Sequence, residues 1–273
     1  MIQIAIPTYR RYDTVCDKTL TFLLGSDAKD LPITLFVANE AEKEAYWSAL
    51  WRRRWQDRVS LVVGKLGLGP QRNFIQSYYP EGTWLWQLDD DIRGLCQRAS
   101  PKRLLPLESV KGMAETAFGL CQAHGIGLWG VHPVDNPFFM DPSITFDLRY
   151  CPGGCFGVIV RHDSFLDVRL EDKEDFERTL RYYSRDGRVI RLNWVCMKTE
   201  GYLGAGGMQE TRTKERVRQS ARQLARWFPT LCRVTPGGKR GFVEVKLRDG
   251  GSKKVLHTEH RQGEAKNKGR AHR

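Results

Sequence analysis

The sequence predicts an α/β fold: a doubly wound, mainly parallel sheet with helices on both faces, plus a basic C-terminal helical extension. Three observations predict it. Short apolar runs alternate with stretches of helical period from residue 3 to residue 194, the pattern of a parallel sheet with crossover helices. The run Thr83-Trp84-Leu85-Trp86-Gln87-Leu88 follows a turn at Pro80-Glu81-Gly82 and stops abruptly at Asp89, Asp90 and Asp91, as a buried strand entering a polar loop would. Charge, finally, is concentrated at one end. Of a net +12, residues 199–273 supply +11, with 18 Lys/Arg against 7 Asp/Glu.

Taken in order, residues 3–7 read as a first strand and residues 8–12 as the loop leaving it. A helix is expected over 13–24, with Val15, Leu20, Leu23 and Leu24 inward and a stop near Gly25. Residues 33–38 form a second strand, followed by Asn39-Glu40 and a helix to about residue 55. A third strand spans 59–63. The glycine-rich loop 64–70 then opens a helix at Gln71-Arg72-Asn73-Phe74. After the tryptophan strand come a helix over 107–124 and a strand at 126–131. Residues 146–150 and 153–160 read as a strand pair around a tight turn. An acidic loop at 171–175 enters a helix, and a strand fits 189–194. Residues 201–208 are too rich in glycine for either regular element. A basic helix is expected from 211 to about 228, bounded by Pro229, with a last strand at 241–248. The boundaries expected are a first domain over 1–210 and an extension over 211–273, its last ~20 residues disordered.

Composition narrows the class. With 273 residues and 41% apolar content, the chain can bury a substantial core. No apolar run reaches the ~20 residues that span a bilayer, and the N-terminus enters a strand pattern directly, so a cytoplasmic protein without a membrane partner is expected. Seven scattered cysteines suit free thiols in a reducing compartment; only Cys151 and Cys155 are closely spaced, and no second Cys/His pair accompanies them at zinc-finger spacing.

At a strand end in such a sheet, carboxylates face the crevice where ligands collect and can hold a hard divalent cation; a helix cap would use the same residues. Asp89 and Asp91 stand two apart, so along an extended chain they point the same way. Four features occur together: a polar loop with Arg10 after the first strand, Asn39-Glu40 after the second, the Gly-Pro-Gln-Arg-Asn helix start, and the Asp-rich strand end. With the Glu174-Asp175 helix start, they resemble the GT-A class of nucleotide-sugar glycosyltransferases, and within it the TET-associated glycosyltransferases of bacteriophages. The matching segments are residues 4–11, 69–74, 85–92, 153–160 and 174–181, within the first 210 or so.

The resemblance implies a metal-dependent, inverting transfer of a hexose from a nucleotide-sugar, UDP-glucose in the first instance, to the hydroxymethyl group of a modified DNA base, with 5-hydroxymethylcytosine foremost. It implies Mn²⁺ or Mg²⁺ on Asp89 and Asp91, with Asp89 also touching the ribose and Asp90 touching backbone or sugar. Thr8 and Arg10 are expected beside base and ribose, with Asn39 or Glu40 nearby, and Arg72 and Asn73 along the donor. For Arg72 a salt bridge to one of the Asp residues explains the residue equally well. Asp175 is the expected base; Glu171-Asp172 offers a second register, and acids at a helix start also complement its dipole. Gly153-Gly154 fits either a close backbone approach or a tight turn. The Gly204–Gly207 loop can close as a lid, and Trp194 and Tyr202 can stack on a ligand or fill core. His132 is left out of the metal set.

The basic helix supplies the expected DNA contacts, with Arg212, Arg216, Arg222 and Arg226 along one side. The resemblance places the enzyme in the cytoplasm of a phage-infected host, with no obligate protein partner. Two other functions fit the residues: a glycosyltransferase for a protein or envelope acceptor, and a noncatalytic nucleic-acid-binding protein on a GT-A-like domain.

Overall fold

The protein is described here by a computed structural model covering residues 1–199, 213–236 and 243–248, with the backbone of Lys254–Leu256. Strand β1 (Ile2–Pro7) leads into one helical run made of α1 (Tyr12–Val15), a π-helical stretch Cys16–Leu20 and α2 (Thr21–Leu24). Then follow β2 (Ile33–Val37), α3 (Glu40–Arg52), β3 (Val59–Val63), α4 (Leu68–Tyr78) and β4 (Trp84–Leu88). Up to this point the elements are those the apolar pattern predicts.

Beyond β4 a hairpin absent from the sequence reading intervenes, β5 (Gly94–Ser100) and β6 (Arg103–Pro106). Its residues carry mixed burial, so they show no clean two-residue alternation. Next come α5 (Val110–His124), β7 (Leu128–His132), β8 (Ser143–Thr145), β9 (Cys155–Ile159), α6 (Glu174–Asp186) and β10 (Ile190–Lys198). The C-terminal part supplies α7 (Lys214–Trp227), the antiparallel pair β11 (Cys232–Thr235) and β12 (Glu244–Leu247), and β13 (Lys254–Leu256).

The main sheet runs β3-β2-β1-β4-β9-β7-β10-β8-β13, with β5 on the far half of β10. Strands β3, β2, β1 and β4 are parallel, and β10 is parallel to β7. Since β9 is antiparallel to both β4 and β7, the carboxyl ends of β1, β4 and β7 emerge on one edge. The chain steps outward from β1 to β2 and β3, then returns to place β4 on the other side of β1. That reversal opens a crevice between the carboxyl ends of β1 and β4.

The strand pair expected around residues 146–160 does not form. β8 pairs with β10 and β13 instead, and β9 inserts between β4 and β7. The reason is packing: β9 is buried along almost its whole length, and its Gly157 lies opposite both Trp86 and Trp129. A Cβ at Gly157 would stand 2.2 Å from Trp129 Nε1 and 2.6 Å from Phe118 Cζ. The missing side chain makes room for an aromatic cluster in which Trp84 stacks on Phe118 at 5.3 Å and Phe118 meets Trp129 edge-on.

The tail expected to be disordered after residue 250 contributes an edge strand at Lys254–Leu256; its other residues, like the 201–208 loop with Tyr202, lie outside the described ones. Helix α7 turns Ala221, Leu224 and Phe228 onto Leu180 of α6 and Leu148, with Cys232 and Val245 closing this smaller core. All seven cysteines are free and buried; burial pushes the Cys151 and Cys155 thiols up to about 12.

Gly157→Ala is expected to lower stability by about 1–3 kcal/mol through overpacking. Gly119→Ala, on α5 with nothing within 4 Å of the added carbon, is expected to be neutral or stabilising by up to about 1 kcal/mol. Urea unfolding of the two variants measures the contrast.

Candidate active site

The three carboxylates at the end of β4 part company because the chain turns there. Asp90 goes inward. It is 6% exposed and accepts hydrogen bonds from Thr8 Oγ1 at 2.8 Å and Arg11 Nη1 at 3.0 Å. Thr8 also lies 2.7 Å from the Tyr46 hydroxyl of α3. These contacts join the exits of β1 and β4 across the crevice. Burial pushes the Asp90 carboxyl up to about 6 against the pull of Arg11 and Thr8. The backbone is fixed as well: Thr19 Oγ1, in the π-helical stretch, donates to the Asp89 carbonyl and accepts from the Ile92 N–H.

The Asp89 and Asp91 side chains are less buried, at 41% and 22% exposed. Arg72, on the first turns of α4, is 4% exposed and its guanidinium forms a node. It donates to Gln87 Oε1 at 3.0 Å, to Asp89 Oδ1 at 2.7 Å and to the Gly153 carbonyl at 2.9 Å. Burial holds Arg72 below the usual arginine range, while the nearby Asp89 charge opposes that shift. The Gly153-Gly154 segment thereby lies against the carboxylates: the Asp89 N–H donates to the Gly154 carbonyl, and a Cβ on Gly153 would meet Glu174 Oε1 at 2.9 Å. These glycines form a turn that passes close to the Glu174, Asp89 and Met197 side chains.

Helix α6 closes the opposite side. Glu174 is buried and pairs with Arg178 at 2.6 Å. Burial pushes its carboxyl up, and Arg178 and Arg72 pull it back. Both arginines lie over the Phe156 ring of β9, at 3.5 and 5.1 Å. Asp175 comes next. Its Oδ1 accepts the Phe176 N–H at 2.9 Å and its Oδ2 accepts the Tyr150 hydroxyl. The structure thus brings Asp89, Arg72, Gly153, Glu174 and Asp175 into one neighbourhood.

Several expected donor contacts are committed elsewhere. The Thr8 hydroxyl is used on Asp90 and Tyr46, and its N–H donates to the Phe36 carbonyl at 3.0 Å. The Asn73 amide both donates to and accepts from the backbone of Val168, so it ties α4 to that loop. Asn39 caps α3, accepting from the Glu42 N–H. The Glu40 side chain is 74% exposed beside Lys43, and it is Glu42 that reaches the β1 exit, on the Arg10 N–H at 2.8 Å. Arg10 itself, with φ 54, stays at that exit and lies over the Tyr9 ring. His132 is buried, its Nδ1 at 2.9 Å from the Val134 carbonyl. Trp194 belongs to the core. The alternative acid Asp172 is 1% exposed and holds Arg216 at 3.3 Å. Arg216 is thus engaged by Asp172 although its side chain is 39% exposed, Arg222 and Arg226 are exposed, and Arg212 lies outside the described residues.

Two residues of the site escaped the sequence reading. Arg11 reaches Asp90 and comes within 3.7 Å of Asp91; the pair of arginines in the β1 loop was a signal that did not say which one turns inward. Tyr150 sits in an irregular segment with no pattern to mark it.

Among the described residues no three His, Cys, Asp or Glu side chains gather into a metal cage. Mg²⁺ and Mn²⁺ do not need one when a diphosphate supplies oxygens, since one or two carboxylates suffice. Asp91, raised by burial and by the Asp89 charge, is a hard oxygen donor in a locally electronegative setting. Asp89 and Asp91 fit such an ion.

No family model and no curated protein matches the sequence. Solved structures do. The mannosyltransferase PcManGT from Pyrobaculum calidifontis, in complex with GDP-Man and Mn²⁺, superposes with a TM-score of 0.53 at 14% identity, covering 84% of this chain and 64% of that one. The fold is GT-A. S. aureus TarS 1-349 is similar at 13% identity and a TM-score of 0.49, covering 82% and 65%. GalNAc-T7 with UDP, GalNAc and Mn²⁺ aligns at 13% and 0.49, covering 84% and 49%. The chain thus spans under two thirds of the length of each. In this GT-A fold no described helix is long and apolar enough to cross a membrane.

Thr8→Val, which removes the hydroxyl between Asp90 and Tyr46, is expected to cost about 1–3 kcal/mol. Denaturant unfolding at pH 7 measures it; an unchanged midpoint would show that the network is not a constraint.

Proposed function

We propose that this chain is a metal-dependent glycosyltransferase that moves a sugar from a nucleotide-sugar to the hydroxymethyl group of a modified base in DNA. The observation that carries the transferase reading is the meeting of Asp89, Arg72 and the Glu174-Asp175 helix start at the carboxyl edge of a GT-A sheet. Departure of a nucleoside diphosphate builds negative charge on its phosphates. Asp89 and Asp91 would hold Mg²⁺ or Mn²⁺, which supplies Lewis-acid stabilisation of that charge. Arg72 keeps Asp89 in place and fixes the Gly153-Gly154 backbone beside it. Asp175 takes the proton of the acceptor hydroxyl as that oxygen bonds to the anomeric carbon, while the carbon–oxygen bond to the diphosphate breaks with its electron pair on the leaving group.

The acceptor reading rests on charge and on the resemblance to the phage enzymes. Arg218, Arg222 and Arg226 lie on the exposed face of α7, and the last 75 residues carry +11. Such a surface suits a phosphate backbone. A 5-hydroxymethyl group projects into the major groove, where a duplex leaves it accessible.

Incubation of 5-hydroxymethylcytosine DNA with Mn²⁺ and a panel of sugar nucleotides is expected to give a glycosylated nucleoside by mass spectrometry. Unmodified DNA, with sugar found on protein or lipid instead, would replace the acceptor. Asp91→Ala or excess EDTA is expected to lower transfer by about two orders of magnitude or more, as loss of several kcal/mol of charge stabilisation implies. Full activity in EDTA would remove the metal. Reversing Arg222 and Arg226 to Glu is expected to weaken DNA binding and flatten its salt dependence, with donor hydrolysis retained.

A further inference from the structure

We propose that Tyr150 is a positioning residue that sets the orientation of the Asp175 carboxylate, a role that rests on the reading of Asp175 as the base. The Tyr150 hydroxyl donates to Asp175 Oδ2, while the Phe176 N–H holds Oδ1. Its ring stacks on Phe176 at 4.2 Å with an interplanar angle of 19°. A phenol held by stacking has its oxygen fixed in place, so its hydrogen bond to Oδ2, with that of the Phe176 N–H to Oδ1, sets the orientation of the carboxylate.

A second tie runs between the same two segments. The Cys151 N–H donates to Thr179 Oγ1 at 3.2 Å, and that hydroxyl donates to the Asp175 carbonyl at 2.8 Å. Cys151 itself is fully buried and its Cβ lies against Gly130 of β7, where a side chain would collide at 2.7 Å. Tyr150 therefore starts from a point anchored to the sheet, and through it the carboxylate on α6 is referenced to β7 and β10. Helix α6 itself holds Oδ1, through the Phe176 N–H; the hold on Oδ2 comes from Tyr150.

The arrangement leaves the base competent. A carboxylate offers about four lone-pair positions; one on each oxygen is used, and those remaining accept the proton of the incoming hydroxyl. Tyr150 keeps its own proton throughout. Orientation matters because a base must lie within hydrogen-bond reach of the proton it takes, and small displacements at a reacting centre cost large factors in rate.

The test has two arms. In protein labelled with ¹³C at the tyrosine Cζ, the Tyr150 resonance, identified by its loss in Tyr150→Phe, is expected to move in Asp175→Asn. A resonance that does not move overturns the contact, whatever the enzyme's activity. In turnover with UDP-glucose, Mn²⁺ and 5-hydroxymethylcytosine DNA, Tyr150→Phe retains the stack and loses the hydroxyl. It is expected to lower kcat about tenfold or more, with KM for the donor unchanged, and Asp175→Asn is expected to lower it further. A crippled Asp175→Asn with Tyr150→Phe at wild-type turnover overturns the role of Tyr150 alone. Wild-type turnover by Asp175→Asn overturns the base itself, and Tyr150's role with it.

Discussion

A buried carboxylate that must be paired organises this molecule. Asp90 sits just beyond the tryptophan strand β4, almost without solvent, where an unpartnered charge would cost several kcal/mol. Thr8 and Arg11 meet that demand, and both belong to the loop leaving β1. The pairing therefore joins the two strands at the point where the sheet reverses its winding. Beside it, Asp91 stays within 3.7 Å of the same Arg11, and the more exposed Asp89 is held by Arg72.

From that constraint a second layer follows. Asp89 is steadied by Arg72, whose other donors reach Gln87 and the Gly153 carbonyl. The Gly153-Gly154 segment links the carboxylates of β4 to the acidic start of α6. Hydrogen bonds thus run from Asp89 through Arg72 to Gly153, which lies close against Glu174 at the start of α6. Nearly all of these residues are buried or half-buried, so the placement of the β4 end relative to the start of α6 is preset.

Much of this was legible in the residues. Strand–helix alternation through β4 showed the sheet, and the stop at three carboxylates marked the end of β4. Less legible were features decided by distant partners. Strand β9 could be located but not paired, since Gly157 signals a packing need only once Trp86 and Trp129 are beside it. Asn39 and Asn73 looked like ligand contacts because amides serve binding and backbone ties equally well; their neighbours in space chose the ties. Likewise the helical spacing of the arginines on α7 could not reveal that buried Asp172 would claim Arg216. Tyr150 carried no signal at all.

The central claim is that a divalent cation and a sugar nucleotide meet at the end of β4. A crystal grown with Mn²⁺ and the donor, with data collected at the manganese absorption edge, tests it most directly. An anomalous peak in contact with the Asp91 carboxylate and the donor's phosphates is the predicted result. A peak and nucleotide bound away from residues 89–91 would contradict it.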